Sequence, residues 1–266
     1  MYLSTNGTVI YYVDVGQPTG PPIVLIHGFP LSHEMWTHQI EVLKNVYCVV
    51  ALDLRGQGRS EAGDGQFTLE FLVDDLIALL DHLEIRQAVL CGLSMGGYVC
   101  LRTAERNPER VSGLILCDTK SEADSNETKL ARSASIRAIK RNGIGAYAEA
   151  FLKGALSPTS LKDRDVMETA TKIVQQNQAL GLCGTLLALA GRTDTTLFLP
   201  KIEVPTLILV GEQDNITPPE HSRRMQSMIQ NSELHIIPQA GHMTNMENPT
   251  IFNTHLIKFL QDHASG

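Results

Sequence analysis

The chain has 266 residues and a mass of 29.2 kDa, a length that predicts one large core with an inserted subdomain rather than two independent domains. Hydrophobic residues make up 43% and charged residues 19% of the chain, proportions that exclude a disordered or fibrous protein. The formal net charge of -7 at pH 7 and the pI near 5.7 argue against a nucleic-acid partner, because a polyanion is bound by a basic face.

The cysteines and the apolar runs predict where the protein is found. The five cysteines form no C-x-x-C pair and most lie in apolar runs, which predicts free thiols in a reducing compartment. Residues 1–12 contain neither the basic region nor the apolar region of a secretory signal. The most apolar long stretch, 179–191, is well short of the roughly 18 residues that a membrane span requires. We therefore expect a soluble, cytoplasmic protein without a membrane partner, as a monomer or a small homo-oligomer.

Short runs rich in β-branched residues alternate with helical patterns along the chain. This order predicts an α/β protein with a mostly parallel sheet covered on both faces by helices. Leucine and valine recur at three- and four-residue intervals over 69–83, which predicts an amphipathic helix on that sheet. Asn248 is typical of a helix cap and Pro249 of the first turn of a helix, so they predict the start of the last helix. The candidate strands are 23–26, 47–52, 88–91, 114–117, 206–210 and 234–237.

The alternation of strands and helices breaks off in the middle of the chain. Between 121 and 199 helical patterns dominate, at 131–140, 146–152, 166–177 and 184–190. The strand pattern stops just before this segment and resumes just after it with the same character. We therefore predict a core formed by 1–120 and 200–266, with 121–199 inserted into it as a helical cap.

A glycine-rich turn with a central serine follows the strand 88–91 directly. Its sequence is GLSMGG at 92–97, and it opens a helix that we expect to end near Pro108. A serine at such a turn adopts a strained conformation that presents its hydroxyl above the sheet, and Gly92 and Gly96 avoid collisions at the tight crossing. The helix N-terminus favours an oxyanion beside the serine. This context predicts that Ser94 is a nucleophile, the alternative being a purely structural turn.

Five motifs occur in a fixed order on both sides of the predicted cap: HGFP at 27–30, DLRGQGRS at 53–60, GLSMGG at 92–97, GEQD at 211–214 and GH at 241–242. With these motifs in this order, the chain resembles the α/β-hydrolase superfamily. Within it, the chain is similar to the branch of 3-oxoadipate enol-lactonases, small bacterial carboxylesterases and cofactor-free haloperoxidases. The resemblance implies the α/β-hydrolase fold, a mostly parallel central sheet flanked by helices with an inserted helical cap. Five ordered motifs are far more specific than any one of them.

A serine hydroxyl needs a base to take its proton, and the base needs a carboxylate to fix its tautomer. Of the nine histidines, His242 is the best candidate, because it lies in the loop between the strand 234–237 and the last helix. His27, beside Gly28, is expected to have a structural role. The resemblance implies that Asp214 is the acid, and Glu212 and Asp118 are its rivals.

The resemblance also implies an oxyanion hole formed by the backbone amides of Phe29 and Met95. Pro30 lacks an N–H and cannot donate. The segment 53–60 has no nucleophilic role that we can derive, and we expect a tight structural turn held by Arg55. Trp36 recurs with apolar residues at helical spacing, which favours a place in the core.

A serine nucleophile weighs against haloalkane dehalogenase and epoxide hydrolase, which in this superfamily attack through a carboxylate. The sequence therefore predicts a hydrolase of carboxylic ester or lactone bonds in small molecules, acting through an acyl-enzyme on Ser94. The same triad suits a perhydrolase-type haloperoxidase, a carbon–carbon bond hydrolase or a small-molecule receptor, and these alternatives stay open. No cofactor is implied, and no metal site either, because the histidines show no ligand spacing.

Two features of the predicted cap bear on the substrate. Basic residues there are candidates for a carboxylate clamp, although we expect them to form a solvated face: Arg132, Arg137, Lys140, Arg141 and Arg192. A leucine-rich stretch is expected to be buried, against either the core or a substrate cleft. Its members are Leu180, Leu182, Leu186, Leu187 and Leu189.

Overall fold

The computed structural model describes residues 1–264, and eight strands of these residues form one sheet. The strand order across the sheet is β1-β2-β4-β3-β5-β6-β7-β8. From β4 to β8 neighbouring strands are parallel, whereas β1, β2 and β4 pair antiparallel. The strands are β1 (Tyr2–Thr5), β2 (Thr8–Gly16), β3 (Pro22–Ile26), β4 (Cys48–Leu52), β5 (Ala88–Leu93), β6 (Val111–Cys117), β7 (Thr206–Gly211) and β8 (Ser232–Ile237).

All six predicted strands are confirmed, with ends that differ by at most a few residues. The sequence interpretation missed the hairpin of β1 and β2 at the sheet edge. Asn6 and Gly7 form its turn with φ values of 47° and 71°, which is the backbone that an Asn-Gly hairpin turn adopts. The Asn-Gly pair was thus a usable signal for these two strands.

Nine α-helices connect or cover the strands within the described residues. The helix predicted over 69–83 is confirmed as α2, and Asn248 caps the last helix by accepting a hydrogen bond from the amide of Ile251. None of the helices in residues 1–264 is long and apolar enough to cross a membrane. The helices are α1 (Thr37–Leu43), α2 (Leu69–His82), α3 (Met95–Arg106), α4 (Asn126–Ala155), α5 (Arg164–Gln175), α6 (Ala179–Ala190), α7 (Pro219–Met228), α8 (Thr244–Glu247) and α9 (Pro249–His263).

Helices α4, α5 and α6, which we call the cap helices, lie between β6 and β7. Two of the predicted helical patterns, 131–140 and 146–152, fall within α4 on either side of Gly143. Gly143 has φ 80° and ψ 172°, so the backbone leaves the helical conformation there. The division of the chain into a core and a cap at residues 121 and 199 stays a prediction.

The expectation that the whole leucine-rich stretch of the cap is buried was wrong. Leu182, Leu186 and Leu189 are buried on one side of α6, as expected. Leu180 and Leu187, however, are 52% and 59% exposed. A helix buries one stripe of side chains, and leucines outside that stripe remain in solvent.

Apolar side chains cover both faces of the sheet and form two buried clusters. One cluster joins β3 and β5 to α2 and α3, and the other joins the opposite face to α1 and α9. Trp36 is fully buried in the second cluster, as predicted. Burial on both faces explains why the central strands are apolar throughout. Because parallel strands end at the same edge, the segments that follow β3, β5, β7 and β8 converge there, as expected of an open α/β sheet.

Candidate active site

Ser94 lies between β5 and α3 with φ 54° and ψ -110°, a conformation that is strained for a residue with a side chain. The two neighbouring glycines are required, as predicted. A Cβ on Gly92 would collide with the backbone of Gly96, and a Cβ on Gly96 would collide with the backbone of Ile26. Helix α3 ends at Arg106, just before Pro108. The turn therefore holds the Ser94 hydroxyl at the carboxyl edge of the sheet.

The structure brings Ser94, His242 and Asp214 together in one chain of hydrogen bonds. The Oγ atom of Ser94 lies 2.9 Å from Nε2 of His242, and Nδ1 of His242 lies 2.8 Å from Oδ2 of Asp214. His242 and Asp214 are 2% and 3% exposed, and Ser94 is 9% exposed. The polar chain is thus shielded from bulk water along most of its length, which strengthens its electrostatic contacts.

Asp214 is held as an ionised acceptor. Its Oδ1 atom accepts hydrogen bonds from the amides of Ile216 and Thr217 at 2.8 and 2.9 Å, and its Oδ2 atom accepts one from the Thr217 hydroxyl at 2.7 Å. Desolvation by burial raises the pKa of Asp214, but the charge and hydrogen bond of His242 and the bonds from Thr217 outweigh it and lower the pKa to about 2. The sequence interpretation missed Thr217, because nothing in a threonine after a strand distinguishes this role.

The two predicted oxyanion donors lie in segments beside Ser94. Met95 is the first residue of α3, where an amide has no partner within the helix. Phe29 follows Gly28, and a Cβ on Gly28 would lie 3.3 Å from the Cβ of Ser94. Neither amide donates to a side chain or to a loop carbonyl within residues 1–264. The roles of Phe29 and Met95 as oxyanion donors stay predictions that this placement supports.

Within residues 1–264, neither rival of Asp214 forms a hydrogen bond or an ion pair with His242. Asp118 accepts a hydrogen bond from the Gly211 amide at 2.9 Å and a short one from the Thr244 hydroxyl. Burial, and then the neighbouring charge of Asp214, raise the pKa of Asp118 well above its usual range. Glu212 accepts one hydrogen bond, from the amide of Gln239 at 3.2 Å. The geometry therefore favours Asp214 as the partner of the imidazole.

The segment 53–60 is a tight turn, and a buried interaction of Arg55 anchors it, as predicted. The carboxylate of Asp53 fills the turn, where it accepts hydrogen bonds from the backbone amides of His33 and Arg59, and its Oδ1 atom lies 2.7 Å from the ring Nδ1 of His33. Arg55 ties this turn to α2 through its ion pair with Asp75, at 2.8 Å. A carboxylate can stabilise a tight turn from inside, because several backbone amides can donate hydrogen bonds to it at once.

His27 has the structural contact that was expected of it. Its Nε2 atom accepts a hydrogen bond from the amide of Leu54 at 2.9 Å, and the ring is fully buried. Desolvation lowers the pKa of His27, which favours the neutral ring that such an acceptor requires.

The expectation of a solvated basic face was wrong for Arg192. Its guanidinium is buried, pairs with Asp124, donates to the carbonyl of Glu122 and lies 4.1 Å from the ring centroid of Tyr98. Arg132 pairs with the same carboxylate of Asp124 at 2.8 Å. Two arginines share one carboxylate because burial of a guanidinium requires a charge partner. Arg137, Lys140 and Arg141 are exposed, as expected.

Two groups of residues near the site were missed by sequence reasoning. Asn177, at the end of α5, donates to the carbonyl of Pro30 at 2.9 Å and accepts from the amide of Gly58 at 2.8 Å. It thus ties the cap helices to the segment that carries Phe29, although its sequence context resembles an ordinary helix end. The ring centroids of Phe29 and Tyr147 also lie 6.2 Å apart, and the ring of Tyr147 stacks on that of Phe151 in α4.

Comparison with known proteins shows which family and which proteins this chain is similar to. A family model described as the alpha/beta hydrolase fold matches residues 21–249. The 3-oxoadipate enol-lactonase 2 of Acinetobacter baylyi is 29% identical over 252 residues, which are 94% of this chain and 92% of that protein. A putative non-heme chloroperoxidase of Synechocystis is 34% identical over 264 residues, which are 95% of each chain.

Solved structures agree with this family. A thermophilic esterase from Thermogutta terrifontis, solved with malate bound, has a TM-score of 0.93 and 36% identity over 99% of this chain and 97% of its own. The enol-lactonase from Burkholderia xenovorans LB400 has a TM-score of 0.91 and 28% identity, over 98% of this chain and 100% of its own. Both resemble this chain over nearly its whole length, and the predicted resemblance is confirmed. The chain belongs to the alpha/beta hydrolase fold family and is a hydrolase of that family.

Proposed function

We propose that this chain cleaves carboxylic ester or lactone bonds of small molecules through an acyl-enzyme on Ser94. The observation that supports this most is the continuous hydrogen-bonded chain from the Ser94 hydroxyl through His242 to Asp214, at 2.9 and 2.8 Å. A nucleophile, its base and the group that orients the base are the components that acyl transfer requires. The esterase and enol-lactonases among the similar proteins support the same class of bond.

In the proposed reaction, His242 takes the proton of Ser94 as Oγ attacks the carbonyl carbon of the substrate. The amides of Phe29 and Met95 donate to the oxyanion of the tetrahedral intermediate. The protonated His242 then gives its proton to the leaving alkoxide, and the acyl group remains on Ser94. A water molecule, deprotonated by the same imidazole, attacks the acyl carbon, and the imidazolium returns the proton to Oγ of Ser94 as the bond between Oγ and the acyl group breaks and the acid leaves. Asp214 stays ionised throughout and stabilises the imidazolium, in agreement with its pKa of about 2.

The surroundings of Phe29 favour an uncharged acyl group. Aromatic rings lie beside it, since Tyr147 and Phe151 extend the wall that begins at Phe29. Two of the five basic candidates for a carboxylate clamp, Arg132 and Arg192, pair with Asp124 instead. An anionic substrate would have to compete with that buried carboxylate. We therefore propose simple esters as the main substrates and acidic enol-lactones as the second candidate, which the enol-lactonase relatives support.

The test is a comparison of hydrolysis rates between neutral and anionic substrates. We expect kcat/KM for p-nitrophenyl butyrate to exceed that for the p-nitrophenyl monoester of succinic acid. Only the second substrate carries a carboxylate, and Arg132 and Arg192 are already paired with Asp124 and so do not bind it. A preference for the anionic ester would instead favour an acidic lactone. Replacement of Ser94 by Ala should abolish both activities. Halide oxidation that depends on peroxide, without ester hydrolysis, would contradict the proposal and favour a haloperoxidase.

A further inference from the structure

Glu247, the last residue of α8, binds the loop that carries His242. Its Oε1 atom accepts hydrogen bonds from the amides of Gly241 and Met243, each at 3.0 Å. These are the two residues that flank His242 in the chain. One carboxylate oxygen therefore holds the backbone on both sides of the base.

The second carboxylate oxygen of Glu247 reaches the cap helices. Oε2 accepts a hydrogen bond from the amide of Ser157 at 2.8 Å, two residues after the end of α4. In the same place the amide of His242 donates to the carbonyl of Ala155 at 2.7 Å. Gly241 packs so closely against this segment that a Cβ on it would collide with its backbone. The loop of the base and the end of α4 are thus joined at several points.

These contacts use the amides of three consecutive residues, 241, 242 and 243. Two of the three donate to Glu247, and hydrogen bonds from amides to an ionised carboxylate are about twice as strong as neutral ones. Another carboxylate bound to the same loop, that of Glu212, accepts a hydrogen bond from the amide of Gln239, three residues before His242, and no other within residues 1–264. Glu247 is therefore the carboxylate that fixes the backbone at His242.

We propose that Glu247 is a positioning residue for the base of the reaction proposed above. It holds the peptides around His242 so that Nε2 reaches the Ser94 hydroxyl, and it links this loop to the end of α4. The inference rests on the proposed function, because only a reaction that uses His242 depends on this placement. A displacement of a catalytic group by 1 Å costs about 10²-fold in rate, so the loss of this carboxylate should lower kcat far more than it raises KM.

The experiment compares three variants on p-nitrophenyl butyrate. For E247A, which removes all three acceptor contacts, we expect kcat to fall about 100-fold with KM within about twofold of wild type. For E247Q we expect an intermediate loss. Its amide oxygen can still accept from Gly241 and Met243, but its NH₂ group would face the N–H of Ser157. The matched control is E212Q, which alters a carboxylate that binds the same loop from the segment after β7 and should keep wild-type kcat.

A second readout separates positioning from a general loss of stability. We expect the proton between His242 and Asp214, whose heavy atoms lie 2.8 Å apart, to give a far-downfield imidazole N–H resonance in ¹H NMR spectra of the folded protein. We expect it to shift or broaden in E247A and E247Q and to stay unchanged in E212Q. A role in stability alone would leave this resonance of the folded fraction at its wild-type position, and that result would overturn the inference.

The outcomes also separate this inference from the proposed function. If S94A hydrolyses the ester as well as wild type does, the proposed function itself fails. If S94A is inactive but folded E247A keeps a kcat within twofold of wild type, only the positioning role is overturned. Should E247A not fold, the same criterion applies to E247Q.

Discussion

At the scale of single residues, the sequence identified Ser94, His242 and Asp214, and the structure places the three in contact. Residue type alone could not identify the acid from the sequence, because three carboxylates follow strands at the same sheet edge: Asp118, Glu212 and Asp214. The choice depends on side-chain direction. Asp214 faces the imidazole, whereas Asp118 is bonded to Gly211 and Thr244.

This difference predicts opposite activities for two matched variants. D214N should lower kcat by about 10⁴-fold, because an amide at this position no longer stabilises the imidazolium and favours the wrong tautomer of His242. D118N should keep kcat within a few-fold of wild type, because Asn can still accept from the Gly211 amide and donate to the Thr244 hydroxyl. Steady-state hydrolysis of p-nitrophenyl butyrate measures both. A severe loss in D118N with near-normal turnover in D214N would reverse the assignment of the acid.

Asp118 also predicts a pH dependence of stability. Its pKa is raised in the folded protein, by burial first and by Asp214 second. Such a group contributes its full stability below its unfolded pKa of about 3.9 and loses that contribution as pH rises toward the folded pKa. The free energy of unfolding of D118N, taken relative to that of wild type, should therefore increase as the pH rises from 4 to 7. Urea unfolding at several pH values tests this, and a difference independent of pH would contradict it.

At the scale of elements, the six central strands could be predicted because strands buried on both faces are apolar throughout. The hairpin of β1 and β2 lies at the edge, where polar and apolar residues mix, and only its Asn-Gly turn signals it. The two helical patterns predicted at 131–140 and 146–152 could also be predicted, because the backbone of α4 leaves the helical conformation at Gly143, between them. The contacts between the cap helices and the catalytic loops, through Asn177 and Glu247, join residues far apart in sequence and leave no local pattern.

Asn177 shows how a single cap residue stabilises the arrangement of elements. Replacement by Ala would leave the buried carbonyl of Pro30 and the amide of Gly58 without this partner. An unsatisfied buried polar group costs about 1–3 kcal/mol, so N177A should lower the free energy of unfolding by at least about 2 kcal/mol. The control is N142A, an Asn-to-Ala change at an exposed position of α4, which should change it by less than about 0.5 kcal/mol. Equal losses in the two variants, measured by urea unfolding, would argue against this account of Asn177.

At the scale of the whole molecule, the order of the five motifs predicted the family, because each motif follows a strand that ends at one edge of the sheet. The composition and charge predicted only the general class. Substrate choice could not be predicted, since it depends on which cap side chains face the site and which are neutralised. The pairing of Arg132 and Arg192 with Asp124 is an example, because separate helical patterns give no sign that two arginines share one carboxylate.

The most direct test of the central claim is mass spectrometry of the protein quenched during turnover of p-nitrophenyl butyrate. We predict a butyryl group on the peptide that contains Ser94, formed in a burst with p-nitrophenol and absent from S94A. Steady hydrolysis with no acyl group on that peptide, and undiminished hydrolysis by S94A, would contradict the account.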